Sequence, residues 1–292
     1  MVMRQSDRRR IATTLALTFM TVVTGIVLLP LFIVLSTSLK TTGEIQGAFR
    51  LLPDRPMFNN YVRAFDVGGW ATAFFNTSYI VLISTAICLF LSSLSAFALA
   101  RMQFRGMNLI FMLFMVGLMV PAQTTIIPQF ILFKNVPLCG GNNLFGLGGS
   151  GLLNTHWPLL ISYCTSTFGV FLCRQYFLSI PSSLDEAAKI DGCKPFGIYR
   201  RIYLPLSVPV LITVLIMRVK YVWNDFFFPL IMVNDTKLFT VQMNLTKYKG
   251  QFNIEWNTML AGMIISILPM IFLFVFCQRY FIEGIATSGM KG

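Results

Sequence analysis

Six apolar stretches, at 11–39, 72–100, 107–133, 155–178, 204–232 and 258–282, dominate the chain and restrict what it can fold into. A helix needs about 20 mainly apolar residues to cross a hydrocarbon core of roughly 30 Å. The fold class expected is an all-α membrane protein with six transmembrane helices. The first stretch follows "RQSDRRR", which resembles the basic start of a secretory signal. Its apolar part is too long for one, and "LSTSLK" offers no small-x-small cleavage site, so it reads as a retained span.

Composition agrees with this class and removes others. Of the 292 residues 55% are hydrophobic and only 12% charged, about half the charge of a soluble domain. The net charge of +12 lies in short runs beside apolar segments and not on a basic face. Lipid head groups therefore explain it better than nucleic acid, which is excluded as a partner. An even number of spans puts both termini on one side. Lys and Arg favour that side, which places both termini in the cytoplasm, although the external loop from Thr41 to Ala71 also carries cations. None of the six cysteines makes a C-x-x-C spacing and His156 is the one histidine, so neither a metal site nor a disulfide scaffold is expected. No catalytic constellation and no G-x-x-x-x-G-K-[ST] phosphate loop occurs. A second external loop, "NVPLCGGNNLFGLGGSGLLN", holds six glycines and reads as a pliable surface, either a solvated connector or a docking surface for an external partner.

Between the fourth and fifth stretches lies "SSLDEAAKIDGCKPFGIYRRIYLPLSVP". Ser183-x-x-Glu186 has the spacing of a capping box opening a short helix after Pro181, and Gly192 suits the C′ position that would close it. Pro195 fits the first turn of a second helix, from which Arg200 and Arg201 project. Local chemistry alone fits an interfacial amphipathic helix as well as a docking element.

The order of the residues separates the two readings. Glu186-Ala187-Ala188, then Asp191-Gly192, then Ile202-x-Leu204-Pro205 is the "EAA" pattern of permease subunits of ABC importers. "NNYVRAF", "FFNTSYIVLISTAICLFLSSLSAFALARMQFRG", "MVPAQTTIIPQF", "WNDFFFPL" and "GIATSGMKG" extend the likeness over most of the chain. The chain resembles the carbohydrate-uptake branch of these permeases, subunits similar to the maltose permease G protein. It departs from them in a longer loop near Cys139 to Gly151.

The resemblance implies a type I importer permease without catalytic activity or bound cofactor. Two separate ATPase subunits would carry ATP and magnesium, and a second permease subunit and an external substrate-binding protein would complete the assembly in the bacterial inner membrane. Residues 1–71 would form the cytoplasmic tail, first span and external loop, 72–282 the transmembrane core with a coupling loop at 179–205, and 283–292 a cytoplasmic tail. Glu186, Ala187, Ala188, Asp191, Gly192, Ile202, Leu204 and Pro205 would couple the permease to an ATPase. Small Ala187 and Ala188 would allow close approach of the ATPase surface, and Met290, Lys291 and Gly292 would reach between the ATPases.

Polar residues within the spans mark the candidate path of a carbohydrate. Pro121 and Pro128 should bend or break the third span, leaving Gln123, Thr124 and Thr125 to line a cavity or to bond their own helix. In the fifth span Arg218 lies about 18 Å in, where an ionised side chain costs at least about 2.5–3.5 kcal/mol on insertion scales, so it should face water or a partner. At 100° per residue Arg218, Tyr221, Val222 and Asp225 share a face and Lys220 with Asn224 points the other way, so both cations are not expected on one narrow pathway. Asn224 and Asp225 are placed at the outer cavity, with Trp223 offering a flat face to a sugar ring. Arg218 is left between pairing with a partner permease and recognising an anionic sugar or sugar phosphate. A self-contained secondary carrier is the alternative to the ATP-driven reading; such a carrier would usually show inverted repeats.

Overall fold

The computed structural model describes residues 5–248 and 255–289, with side chains from 13 to 276 within those ranges, Val67 excepted. Met290, Lys291 and Gly292 therefore lie outside the described residues. The chain divides into two compact units, 1–69 with 245–268, and 70–244 with 269 onward.

In the first unit, helix α1 (Gln5–Ser38) carries an apolar span, Thr13–Ser38, whose side chains are largely exposed, as on a lipid-facing helix. The loop after it is a structured cap. Thr41 precedes the short helix α2 (Thr42–Gln46), and its hydroxyl accepts from the Glu44 backbone N–H while the Glu44 carboxylate accepts from the Thr41 N–H, a complete capping box. A further bond from the Asp54 N–H reaches the same carboxylate, and together these hold the Glu44 pKa below its ordinary value. On helix α3 (Asn59–Gly68) the Asn60 amide donates to the Ser38 and Lys40 carbonyls, satisfying buried acceptors at the end of α1.

The second unit is built around helix α4 (Trp70–Arg101). Its inner face is lined with Ser84, Cys88, Ser92, Ser93 and Ala96, all buried, and small residues of this kind let neighbouring membrane helices approach closely. The short helix α5 (Met107–Met119) gives way at Val120–Pro121 to α6 (Ala122–Lys134), bent from it by 103°. Pro121 supplies the break by withholding a backbone donor, while Pro128 sits within α6. Helices α7 (Trp157–Tyr163) and α8 (Thr167–Ser179) follow, and α8 makes the most extensive contact with α4. At Gly169 a Cβ would come within 2.9 Å of Ser92 Oγ and 3.1 Å of Val214 Cγ1, so glycine sets the depth of that packing.

After the short helix α9 (Ser183–Ile190) the chain continues through α10 (Pro195–Ile198), a π-helical turn at Tyr199–Tyr203 and α11 (Leu204–Leu206). It then turns by 76° into α12 (Val208–Asn224), followed by α13 (Phe227–Met232) and α14 (Val241–Asn244). Helix α15 (Trp256–Gly289) is the last element.

Among the described residues three helices are long and apolar enough to cross a membrane alone, at Thr13–Ser38, Trp70–Arg101 and Trp256–Phe276, and two bent pairs could make one span each. The third stretch is bent at Pro121 as expected, whereas the breaks in the fourth and fifth stretches were not anticipated. The fourth, 155–178, breaks between Tyr163 and Thr167, where the Ser166 hydroxyl accepts from the Gly169 N–H and starts α8 afresh. The fifth breaks at Asp225–Phe226, where the Asp225 carboxylate accepts from the Phe228 N–H at 3.4 Å. The glycine-rich loop is tied down and not slack. Asn142 donates to the Lys134 and Val136 carbonyls and accepts from the Gly149 N–H, and Asn143 accepts from the N–H groups of Phe145 and Leu147.

Candidate functional site

Helix α9 shows how the motif stretch is held. Its start differs from the expected capping box: Ser182 is the N-cap, with helical backbone angles (φ −68°, ψ −20°), and neither Ser182 nor Ser183 caps by its side chain. Pro181 enters the first turn directly, and its carbonyl and that of Ser182 accept the N–H groups of Leu184 and Asp185. The end of the helix is as expected. Gly192 takes φ +78°, its N–H bonds the Lys189 carbonyl at 3.0 Å, and the Cys193 N–H bonds the Ala188 carbonyl at 2.9 Å, the two bonds of a Schellman closure.

One face of α9 is locked inward. Ala188 is buried in a cluster with Phe97, Phe177, Tyr199 and Tyr203, so it packs within this chain and is not available to a partner surface, as the motif alone had suggested. Asp185 accepts from the Tyr203 hydroxyl at 2.7 Å and pairs with Arg101 at 3.6 Å, both ionic side chains being little exposed. Arg101, at the end of α4, also donates to the carbonyls of Phe177 and Ile180 and lies 5.2 Å from the centre of the Tyr203 ring. One guanidinium thus ties α9 to the ends of α4 and α8 and to the π-helical turn. Ile202 and Leu204 are half-buried against the same cluster, and Pro205 lies in the first turn of α11.

The opposite face of α9 is open. Glu186, Ala187, Asp191 and Gly192 are exposed, together with Leu184, Ile190 (86% exposed) and, on α10, Phe196 (58% exposed). Large apolar side chains presented beside charged ones on a rigid, capped helix have the composition of a protein contact.

The second site is a cavity of about 800 Å³ lined by α5, α6, α7, α8, α12 and α13. Gln123 and Thr125 line it, and Thr124, whose hydroxyl bonds the Pro121 carbonyl, does not. Thr125 bonds its own helix, at the Ala122 carbonyl, while also accepting from Gln129, and Gln129 accepts from Ser162. Arg218, Lys220, Asn224 and Asp225 all reach this one cavity. Helical phase set Arg218 and Lys220 apart and barred them from one narrow pathway; both line this cavity because it is broad. Tyr163 donates to Asp225 at 2.8 Å, and its carbonyl accepts from Arg218 Nε at 3.0 Å. The Arg218 guanidinium sits 5.6 Å and 5.1 Å from the ring centres of Tyr163 and Tyr221.

Trp223 is the clear correction in this cavity. It is 6% exposed, stacks at 6.1 Å on Phe74 and is not part of the lining, so its face is not offered to a ligand. The aromatic surfaces that do line the cavity include Tyr221, Phe168 and Phe227, each substantially exposed. Sequence reasoning placed Tyr221 on the Arg218 face but missed Tyr163, Gln129 and Ser162. The period of α12 already favoured Tyr221 over Trp223, since two residues at 100° each put them on opposite faces.

Comparison with known proteins gives these sites a family. Residues 89–286 match the family described as binding-protein-dependent transport system inner membrane component. The chain is 33% identical over 265 residues to the probable ABC transporter permease protein YurM of Bacillus subtilis (strain 168), covering 90% of this chain and 83% of that protein. It is 32% identical to the arabinooligosaccharides transport system permease protein AraQ of the same organism (97% and 96% covered), and 30% identical to the multiple sugar-binding transport system permease protein MsmG of Streptococcus mutans serotype c (91% and 92% covered). A chain in the crystal structure of a bacterial ABC transporter involved in the import of the acidic polysaccharide alginate shares the fold, with a TM-score of 0.78 at 23% identity, over 96% of this chain and 99% of that one. With the motif helix, the broken spans and these matches in agreement, the chain belongs to the family of inner-membrane components of binding-protein-dependent transport systems, the permeases of ABC transporters.

Proposed function

We propose that this chain is one of two permease subunits of an ATP-driven importer, and that it passes a carbohydrate, received from an external binding protein, into the cytoplasm. The family description supports dependence on a binding protein, and the relatives AraQ and MsmG, named for arabinooligosaccharides and multiple sugars, support a carbohydrate as cargo. In this reading six apolar segments cross the membrane, the third to fifth as broken spans, with both termini and α9 in the cytoplasm. Residues 1–71 form the tail, first span and external loop, 72–282 the core, and 283–292 the cytoplasmic tail that adds Met290, Lys291 and Gly292 to coupling. This chain holds no cofactor, and two separate ATPase subunits bind ATP and magnesium. A secondary carrier has no need of an ATPase-docking helix, and the family match speaks against it.

The observation that carries the proposal is the two-faced helix α9. Its inner face is fixed by Asp185 and Ala188, while Glu186 and Ile190 face away from them, and no partner among the described residues accounts for an isoleucine that is 86% exposed. Seated in a groove of an ATPase, α9 transmits motion through Arg101 and Tyr203 to α4, α8 and α12. The cavity beside Gln123, Arg218, Asn224 and Asp225 is the path that this motion opens and closes. The test is uptake by the reconstituted transporter. Glu186→Lys or Gly192→Val should leave the protein inserted and ATP hydrolysis running while uptake falls; normal ATP-coupled uptake in both variants would refute the assignment.

A further inference from the structure

The charges in the α5–α13 cavity are unequal, and the inequality bears on the cargo. The cavity lining contains two cations, Arg218 and Lys220, and one anion, Asp225. The Asp225 carboxylate accepts from the Tyr163 hydroxyl and the Phe228 N–H, and its single charge offsets at most one of the two cations. Neither Arg218 nor Lys220 makes an ion pair among the described residues. A charge at membrane depth that no protein carboxylate neutralises is costly, and such residues are retained for what they bind.

Arg218 is also oriented for a ligand. Its Nε and Nη2 both donate to the Tyr163 carbonyl, which fixes one edge of the guanidinium, and its central carbon lies 5.6 and 5.1 Å from the ring centres of Tyr163 and Tyr221. The hydrogen bonds of the group run from Nε and Nη2, Nη1 has no partner among the described residues, and the side chain lines the cavity. A guanidinium held on one edge and free on the other suits an oxyanion, because the fork loses little freedom on binding. Lys220 adds a flexible second charge, and Tyr221, Phe168 and Phe227 supply apolar faces against which a sugar ring can lie.

We infer that the translocation cavity is built for an anionic saccharide, one carrying a carboxylate or phosphate group that is received by Arg218 with Lys220. The inference rests on the importer reading above and narrows its cargo. Asn224, Gln123 and Gln129 line the same cavity and can meet the neutral hydroxyls of such a ligand.

The test uses the whole transporter in membrane vesicles, binding protein included, with three labelled probes: trigalacturonate, glucose 6-phosphate and maltotriose. The expected result is ATP-dependent uptake of an anionic probe, with the first two probes separating carboxylate from phosphate. Arg218→Gln should reduce that uptake at least about tenfold, the scale of one charge-assisted hydrogen bond, and Arg218→Lys should restore part of it. Because Arg218 also anchors Tyr163, Lys220→Gln, which removes an exposed side chain, should lower anion uptake several-fold without changing the amount of assembled transporter. Uptake of maltotriose alone, of none of the probes, or of an anion at a rate indifferent to Arg218→Gln and Lys220→Gln together would overturn the inference. Uptake of an anion without any need for ATP would instead refute the importer reading, so the two failures are distinct.

Discussion

Arg101→Met keeps an aliphatic stem at the end of α4 and removes the guanidinium that fastens α9. The wild-type group donates to two carbonyls, at Phe177 and Ile180, and pairs with Asp185 in a site where both side chains are about one-eighth exposed, 12% and 14%. Hydrogen bonds to a charged group contribute about 1.5–3 kcal/mol each, and breaking a buried pair costs about 3–5 kcal/mol. Against this, Arg101 Nε is buried with no partner among the described residues, so its removal recovers part of a desolvation cost of roughly 1–3 kcal/mol. The remainder is at least about 3 kcal/mol, which lowers the free energy of local opening and raises amide exchange in α9 by at least about a hundredfold. Hydrogen exchange read by mass spectrometry on peptides spanning Ser183–Ile190 measures this in the assembled transporter. Tyr203→Phe, which loses only the 2.7 Å bond to Asp185, should raise the same exchange by about tenfold. Exchange of these peptides within threefold of wild type in Arg101→Met would show that the clamp does not hold α9, and the transmission argument would fail with it.

Other perturbations separate roles that the motifs alone confuse. At Gly192, φ is +78° and an added Cβ would meet nothing within 4 Å, so Gly192→Val costs about 1–2 kcal/mol in backbone strain alone, and Gly192→Asn should cost markedly less; differential uncoupling of the two variants checks this. Trp223→Ala should destabilise by about 3–5 kcal/mol, as for a buried aromatic, and reduce folded yield for every substrate without altering selectivity, measured by size-exclusion and competition uptake. Glu44 has its pKa lowered in the folded loop by bonds from the Thr41 and Asp54 N–H groups, so its contribution is present above its ordinary 4.5 and is lost as pH falls through the lower folded value. Proteolysis of the Thr41–Asp54 loop should accelerate in that acidic window, and Glu44→Gln should already show fast cleavage at neutral pH.

The apolar segments were legible because bilayer thickness imposes a length that composition alone reveals. Where they break was legible only at Pro121, which removes a donor whatever its surroundings; the break before Thr167 depends on a serine hydroxyl whose pairing no local pattern announces. Ser-x-x-Glu illustrates the limit of a short motif. The spacing occurs at Ser183–Glu186, where no cap forms, and Thr41–Glu44 has the same spacing with a complete box. Gly192 was legible because a positive φ leaves few alternatives to glycine. Arg101 was not, since a cation ending a span looks like an interfacial anchor and its partner Asp185 lies far along the chain. Trp223 was favoured by its place in a familiar string, whereas helical phase, applied strictly, points to Tyr221.

The most direct test of the central claim is co-purification from native membranes in mild detergent, comparing tagged wild type with a Glu186→Lys, Gly192→Val double variant. The account predicts that an ATPase and a second permease accompany the wild type, and that the variant keeps the permease and loses the ATPase. Folded protein that brings down no ATPase, or a variant that retains it at wild-type stoichiometry, would contradict the assignment of α9 as the helix that couples this permease to its motor.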